Sequence, residues 1–124
     1  MTNSTSSPPD IAARCREVVA AAEDLKANRL RILELSEISS LADYFLVCSG
    51  NSERQVQAIA DAVLQRLRAE HVRAHHVEGY QSGRWVLLDF GDFVVHVFDE
   101  ETRSFYALEK LWADAPDVTH EFTQ

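Results

Sequence analysis

The sequence predicts a single α/β domain, a mixed sheet of about five strands with about three helices, in a chain of 124 residues. Three observations lead there. Segments with apolar residues at helical spacing alternate with short runs of strand character. The run Tyr44 to Cys48, "YFLVC", is nearly continuously apolar, as a strand buried on both faces would be. The stretch "WVLLDFGDFVVHVF", Trp85 to Phe98, reads as two apolar strands hinged on Gly91-Asp92.

Taken in order, residues 1–9 are rich in Ser, Thr and Pro and are expected to form a disordered tail. A helix is expected from about Asp10 to Ala27, with Ile11, Val18, Ala22 and Leu25 as its apolar stripe. Pro8 or Pro9 suits its start and Asn28 its end. Leu30 to Ser36 is a strand, and the polar "EISSLAD" joins it to an antiparallel partner, "YFLVC". In "SGNSERQ", Asn51 or Ser52 can cap a helix, and Ser52 with Gln55 makes a capping-box pattern. That helix runs to about Glu70 on a face of Val56, Ile59, Ala60, Val63 and Leu67. Val72 to Val77 is a weaker strand that completes a βαβ-type crossover, with parallel pairing expected. Asp99 caps a last helix bearing Phe105, Leu108 and Leu111 or Trp112 as a packing stripe. Arg103 and Glu109 read as solvated charges, and residues 113–124 as a loose tail, so the domain proper is 10–112.

The hairpin fixes its own register. Gly at the first position of a two-residue loop suits a type II′ turn, which needs a positive φ there. Phe90 then pairs with Phe93, Asp89 with Val94, Leu87 with His96 and Trp85 with Phe98. Side chains alternate along a strand, and paired residues share a face. Val86, Leu88, Phe90, Phe93, Val95 and Val97 therefore make a wholly apolar face that belongs to the core. The other face carries Trp85, Asp89 and His96 among Leu87, Val94 and Phe98. Three helices do not suffice to cover both sides of the sheet, so this second face is the candidate for the open one.

Composition narrows the function. At 46% hydrophobic the chain is globular, and no apolar run approaches the roughly 18 residues of a membrane span. "MTNSTSSPPD" lacks the basic and apolar regions of a secretory signal, so the two cysteines read as reduced thiols of a cytosolic protein. A formal charge of −8 makes direct, sequence-specific nucleic-acid binding a poor expectation and a basic protein partner a better one.

Three segments are recognisable: "LADYFLVCSGNSERQVQAIADAV", "EGYQSGRWVLLDFGDFVVHVF" and "RSFYALEKLW". They resemble the ribosomal silencing factor family, also called RsfS or iojap-like proteins, over roughly residues 10–112. The resemblance implies a fold similar to a nucleotidyltransferase core without its catalytic equipment. It implies a non-enzymatic translation repressor, with no cofactor. Such proteins bind the large ribosomal subunit at the ribosomal protein conventionally numbered fourteen and block joining with the small subunit.

Partner-binding candidates follow from the resemblance and the hairpin face. Trp85 is an interface anchor in the family reading and a core aromatic in the bland one. Asp89 would meet a Lys or Arg of the partner, or else hydrogen-bond a loop. His96 is the third residue of that face, although a half-buried histidine is the commoner case. Asp43 and Tyr44 match the family's "DYF" segment, with a turn cap and a packed Tyr as the alternatives. Glu78 and Gly79 match its "EG" segment, where the alternative is a plain loop. The rival from another class is a nucleotide binder or nucleotidyltransferase, suggested by "SGNS" before a helix N-terminus. It lacks the clustered carboxylates that two-metal phosphoryl transfer needs, and "VRAHHV" offers no Asp-x-Asp pair. His75 and His76 point to opposite faces of a strand, so no metal site is expected. A homodimeric scaffold is a third reading, because an open sheet face can pair with a second copy.

Overall fold

A computed structural model describes residues 10–123. The expected disorder of 1–9 and the expected role of Pro8 or Pro9 lie outside the described residues. Helix α1 spans Ile11–Asp24, and Asp10 caps it by accepting the Ala13 N–H at 3.0 Å. The helix ends earlier than Asn28. Lys26 turns left-handed at φ 60°, and the Ala27 N–H reaches back to the Ala22 carbonyl at 2.9 Å. This is a Schellman ending built without glycine.

Strand β1 (Asn28–Glu34) pairs antiparallel with β2 (Tyr44–Gly50), as expected. Ser52 Oγ accepts the Gln55 N–H at 3.1 Å and starts α2 (Glu53–Ala69). The return bond of the capping box goes one residue further back, from the Asn51 N–H to Gln55 Oε1 at 2.7 Å. All five residues of the expected α2 stripe are buried.

Strand β3 is only His76–Glu78, much shorter than the Val72 to Val77 run. It pairs antiparallel with β4 (Trp85–Asp89), and β4 pairs antiparallel with β5 (Phe93–Asp99). The parallel partner of β2 is β5, not β3, which corrects the expected crossover: the chain passes through α2, β3 and β4 before it returns beside β2. The five strands lie in the order β1-β2-β5-β4-β3. The hairpin register is the one read from the sequence, from Trp85 opposite Phe98 to Asp89 opposite Val94. Gly91 takes φ 91° in the turn, where an L side chain would be strained.

Helices α1 and α2 cover one sheet face, and Val86, Leu88, Phe93, Val95 and Val97 pack beneath them. Cys15 and Cys48 are free thiols in this core, and burial pushes both up to about 12. The second face is less open than expected. Val94, His96 and Phe98 are buried there under Leu35, Ala42, Leu108 and Ala115. Its β4–β3 margin stays open, with Trp85, Leu87 and Asp89 half-exposed and His76 and Glu78 exposed.

The C-terminal third departs most from expectation. Helix α3 (Glu100–Tyr106), capped by Asp99, breaks at left-handed Ala107, and α4 (Leu108–Leu111) starts a new direction. The break splits the expected stripe. Leu108 is buried, whereas Phe105 and Leu111 are 80% and 73% exposed. The segment after Trp112 is not loose. Ala115, Val118 and Phe122 are buried, and the Val118 N–H bonds the Ile32 carbonyl at 2.8 Å. It wraps the free edge of β1 and satisfies backbone groups that would otherwise face solvent.

Candidate functional site

The half-exposed margin of the second face is a strip along β4 and β3. Pairing sets its composition: Glu78 lies opposite Leu87, and His76 opposite Asp89. Trp85, Leu87 and Asp89 therefore share a surface with His76 and Glu78, whose side chains pair at 2.6 Å. Among the expected site residues the fold thus brings Trp85, Asp89 and Glu78 together. Gly79 follows directly at φ 79°, and a Cβ there would meet the Trp85 carbonyl oxygen at 2.0 Å. Its place in the strip is to let the β3–β4 connection pass close against Trp85.

Trp85 is held on three sides. Its ring stacks on buried Phe98 at 4.9 Å between centroids and meets Tyr106 at 4.8 Å. Its indole N–H donates to His96 Nδ1 at 3.1 Å. A neutral His96 then carries its proton on Nε2, a buried atom with no hydrogen-bond partner among the described residues. Burial also pushes the imidazole down to about 4, so it is neutral at ordinary pH. His96 is 3% exposed, so its ring supports Trp85 from below instead of facing solvent. Asp89 is half-buried, and its Oδ1 accepts the Gly91 N–H at 2.8 Å, bracing the hairpin turn.

Asp43 and Tyr44 do not join the strip. The Asp43 N–H bonds the Asp92 carbonyl at 2.7 Å, tying the start of β2 to the hairpin turn. Tyr44 points to the α1–α2 side, edge-on to Phe122 at 5.5 Å.

Two groups were misread from sequence alone. Phe105, expected to pack, and Tyr106, which the sequence does not single out, are 80% and 53% exposed, with Tyr106 lying between Phe105 and the Trp85 ring. Arg103, expected to be a solvated charge, is 2% exposed. It donates to Ser49 Oγ at 2.7 Å and through Nε to Glu109 at 2.9 Å, tying α4 to the sheet. Burial, the largest single influence, raises Glu109, but the Arg103 hydrogen bond, a backbone hydrogen bond and the charges of Arg103 and Arg29 together hold this carboxyl below its usual range. No local signal announces either, because Arg103 is buried by Ser49 of β2 and Tyr106 is placed by Trp85 of β4, both distant in sequence.

At the start of α2 the N–H groups of Asn51, Gln55 and Val56 are taken by Gln55, Ser52 and the Ser52 carbonyl. The turn is thus bonded from within, and "SGNS" serves as a helix cap. Among the described residues no three His, Cys, Asp or Glu side chains converge as a metal site. No helix among them is long and apolar enough to cross a membrane.

Comparison with known proteins agrees with the resemblance. The profile of the family described as "Ribosomal silencing factor during starvation" matches residues 8–124, so it includes the C-terminal wrap. Ribosomal silencing factor RsfS of Bacillus subtilis is 48% identical over 103 residues, which is 83% of this chain and 87% of that protein. The mitochondrial Iojap-related protein of Arabidopsis thaliana is 33% identical over 102 residues, covering 78% of this chain and 55% of that longer protein. A crystal structure of a Chromobacterium violaceum protein superposes with a TM-score of 0.82 at 38% identity, covering 84% of this chain and 87% of that one.

Proposed function

The chain belongs to the ribosomal silencing factor family, and from that premise we propose that it binds the large ribosomal subunit and sterically prevents joining with the small subunit, repressing translation. The contact on the ribosome is the protein numbered fourteen. The observation that carries this reading is the strip itself: a rigidly seated Trp85 beside Leu87, Asp89 and Glu78 on an otherwise covered sheet face. Interfaces concentrate their energy in such seated aromatics, because a fixed ring loses little entropy on binding. Asp89 and Glu78 supply negative charge toward a basic ribosomal protein. His96 and Gly79 serve through Trp85, one from beneath and one from behind. Asp43 and Tyr44, at the turn end and on the far face, have the supporting place of the "DYF" segment. No bond is made or broken. The bound domain occupies space that a bridge between subunits requires, and the work is done in the cytoplasm where ribosomes assemble on messages.

The test is co-sedimentation with purified large subunits, followed by subunit joining on a gradient at fixed salt. Trp85→Ala is expected to weaken binding by about 2 kcal/mol or more while the domain still melts cooperatively. Asp89→Lys is expected to impair silencing more than Asp89→Asn, because Asn keeps the acceptor for Gly91 and Lys faces a cation. Parent protein that neither sediments with the subunit nor delays joining would remove the proposal.

A further inference from the structure

Beside the strip, an open cleft of about 450 Å³ lies between the mouth of the hairpin and α3. One wall is aromatic. Phe98, Trp85, Tyr106 and Phe105 make successive ring contacts at 4.9, 4.8 and 5.1 Å. Exposure rises along this ladder, from fully buried Phe98 through half-buried Trp85 to Tyr106 and Phe105. A single exposed aromatic means little, but a contiguous ladder with its outer ring bare is an unfinished packing arrangement. The break at Ala107 redirects the chain after Tyr106, so α4 does not continue along the line of α3 beyond this ladder.

The lining also carries three carboxylates, Glu53, Asp99 and Glu101, against one cation, Arg84. Glu53 is paired with Arg84 at 3.3 Å, and Asp99 spends one oxygen on the Thr102 N–H at 2.8 Å. Glu101 has no hydrogen-bond or ion-pair partner among the described residues. The α3 N-terminus, which would attract an anion if bare, is already filled by Asp99, Glu100 and Glu101. The cleft therefore repels phosphate and favours a cation.

We infer that this aromatic and acidic cleft receives an arginine side chain of the basic protein on which Trp85 docks. A guanidinium is planar, stacks on Tyr106 or Phe105, and presents N–H groups to a carboxylate such as Glu101. Lysine offers a point charge without the flat face. The inference rests on the proposed ribosome binding for its occupant, and it extends the contact surface from the sheet onto α3.

Two measurements test it separately. In the first, large subunits are titrated with parent protein and with Phe105→Ala and Glu101→Arg, each on an exposed side chain whose loss leaves the core intact. Each variant is expected to bind about tenfold more weakly. Unchanged affinity in both, with Trp85→Ala still impaired, overturns the cleft and leaves the proposed function standing. In the second, the backbone amides of the full chain are followed by NMR during titration with a short Gly-Arg-Gly-Arg-Gly peptide and with its citrulline counterpart, which is isosteric but uncharged. Shifts confined to Arg84, Trp85 and residues 99–106, absent with citrulline, support the cleft even if parent protein fails to bind subunits. Equal shifts with both peptides, shifts elsewhere or none at all overturn it.

Discussion

His96 shows how one buried residue couples packing to the site. Its Nδ1 accepts the Trp85 indole N–H, and its ring lies edge-on to Phe45 at 4.7 Å. The folded state keeps it neutral because burial pushes it from 6.5 to about 4, whereas the unfolded chain protonates it near 6.5. Between those values the unfolded state holds the extra proton, so stability rises with pH. The contribution is fully present above about 6.5 and is lost as pH falls toward about 4, where it levels off. It amounts to something on the order of 3 kcal/mol. Protonation would also turn Nδ1 from acceptor to donor and set it against the indole N–H. His96→Phe keeps an aromatic ring without a titrating group. Denaturant unfolding at pH 7.5 and pH 4.5 should therefore show a smaller acid loss in the variant than in the parent. Equal losses would mean that His96 is not the acid-sensitive group.

At the scale of elements, the αL residue at the α3–α4 break carries a testable cost. Ala107 sits at φ 47°, ψ 51° with its N–H bonded to the Arg103 carbonyl at 2.8 Å. An L side chain pays roughly 1–2 kcal/mol for that conformation, and glycine avoids most of it. Glycine also loses more freedom on folding, so Ala107→Gly is expected to stabilise the domain by about 0.5–1 kcal/mol, read as a higher denaturation midpoint at unchanged slope. A destabilised variant would show that the break is not left-handed. The same position explains the main misreading of the sequence. Phe105, Leu108 and Leu111 have helical spacing, and alanine is the best helix former, so nothing local announces a break there. What redirects the chain is distant: Arg103 buried against Ser49 of β2 and paired with Glu109. The hairpin was legible because Gly91 and strict alternation are local signals that agree. The β2–β5 pairing was not, because parallel register between strands so far apart leaves no local mark. The C-terminal wrap was hidden for a similar reason, since Pro116 and acidic residues resemble a loose end until the β1 edge is there to be covered. The site divided along the same line. The candidates Trp85 and Asp89 follow from the hairpin register, while the exposure of Phe105 and Tyr106 leaves no local mark in the sequence.

For the whole molecule, the proposed mechanism asks a small, acidic body to work by occupying space. The −8 charge can speed encounter with a basic surface, and salt should slow that encounter, since the Debye length is about 10 Å at 0.1 M. Under the proposed mechanism, occupancy alone sets silencing. A steric block obeys a simple stoichiometry: one bound domain disables one large subunit for as long as it stays bound. An enzyme of similar potency would not, because each copy could act on many subunits. With subunits well above the dissociation constant, joined ribosomes should fall linearly as protein is added and reach the floor near one copy per large subunit. Added nucleotide or Mg²⁺ at constant ribosome stability should leave that endpoint where it is. Trp85→Ala should move the curve toward higher protein without lowering its final plateau, since a faster off-rate is compensated by concentration. The measurement is gradient sedimentation of separated subunits mixed with rising protein before joining is started. Full silencing at a small fraction of one copy per subunit would show turnover and end the steric mechanism, even if Trp85 proved to be the contact.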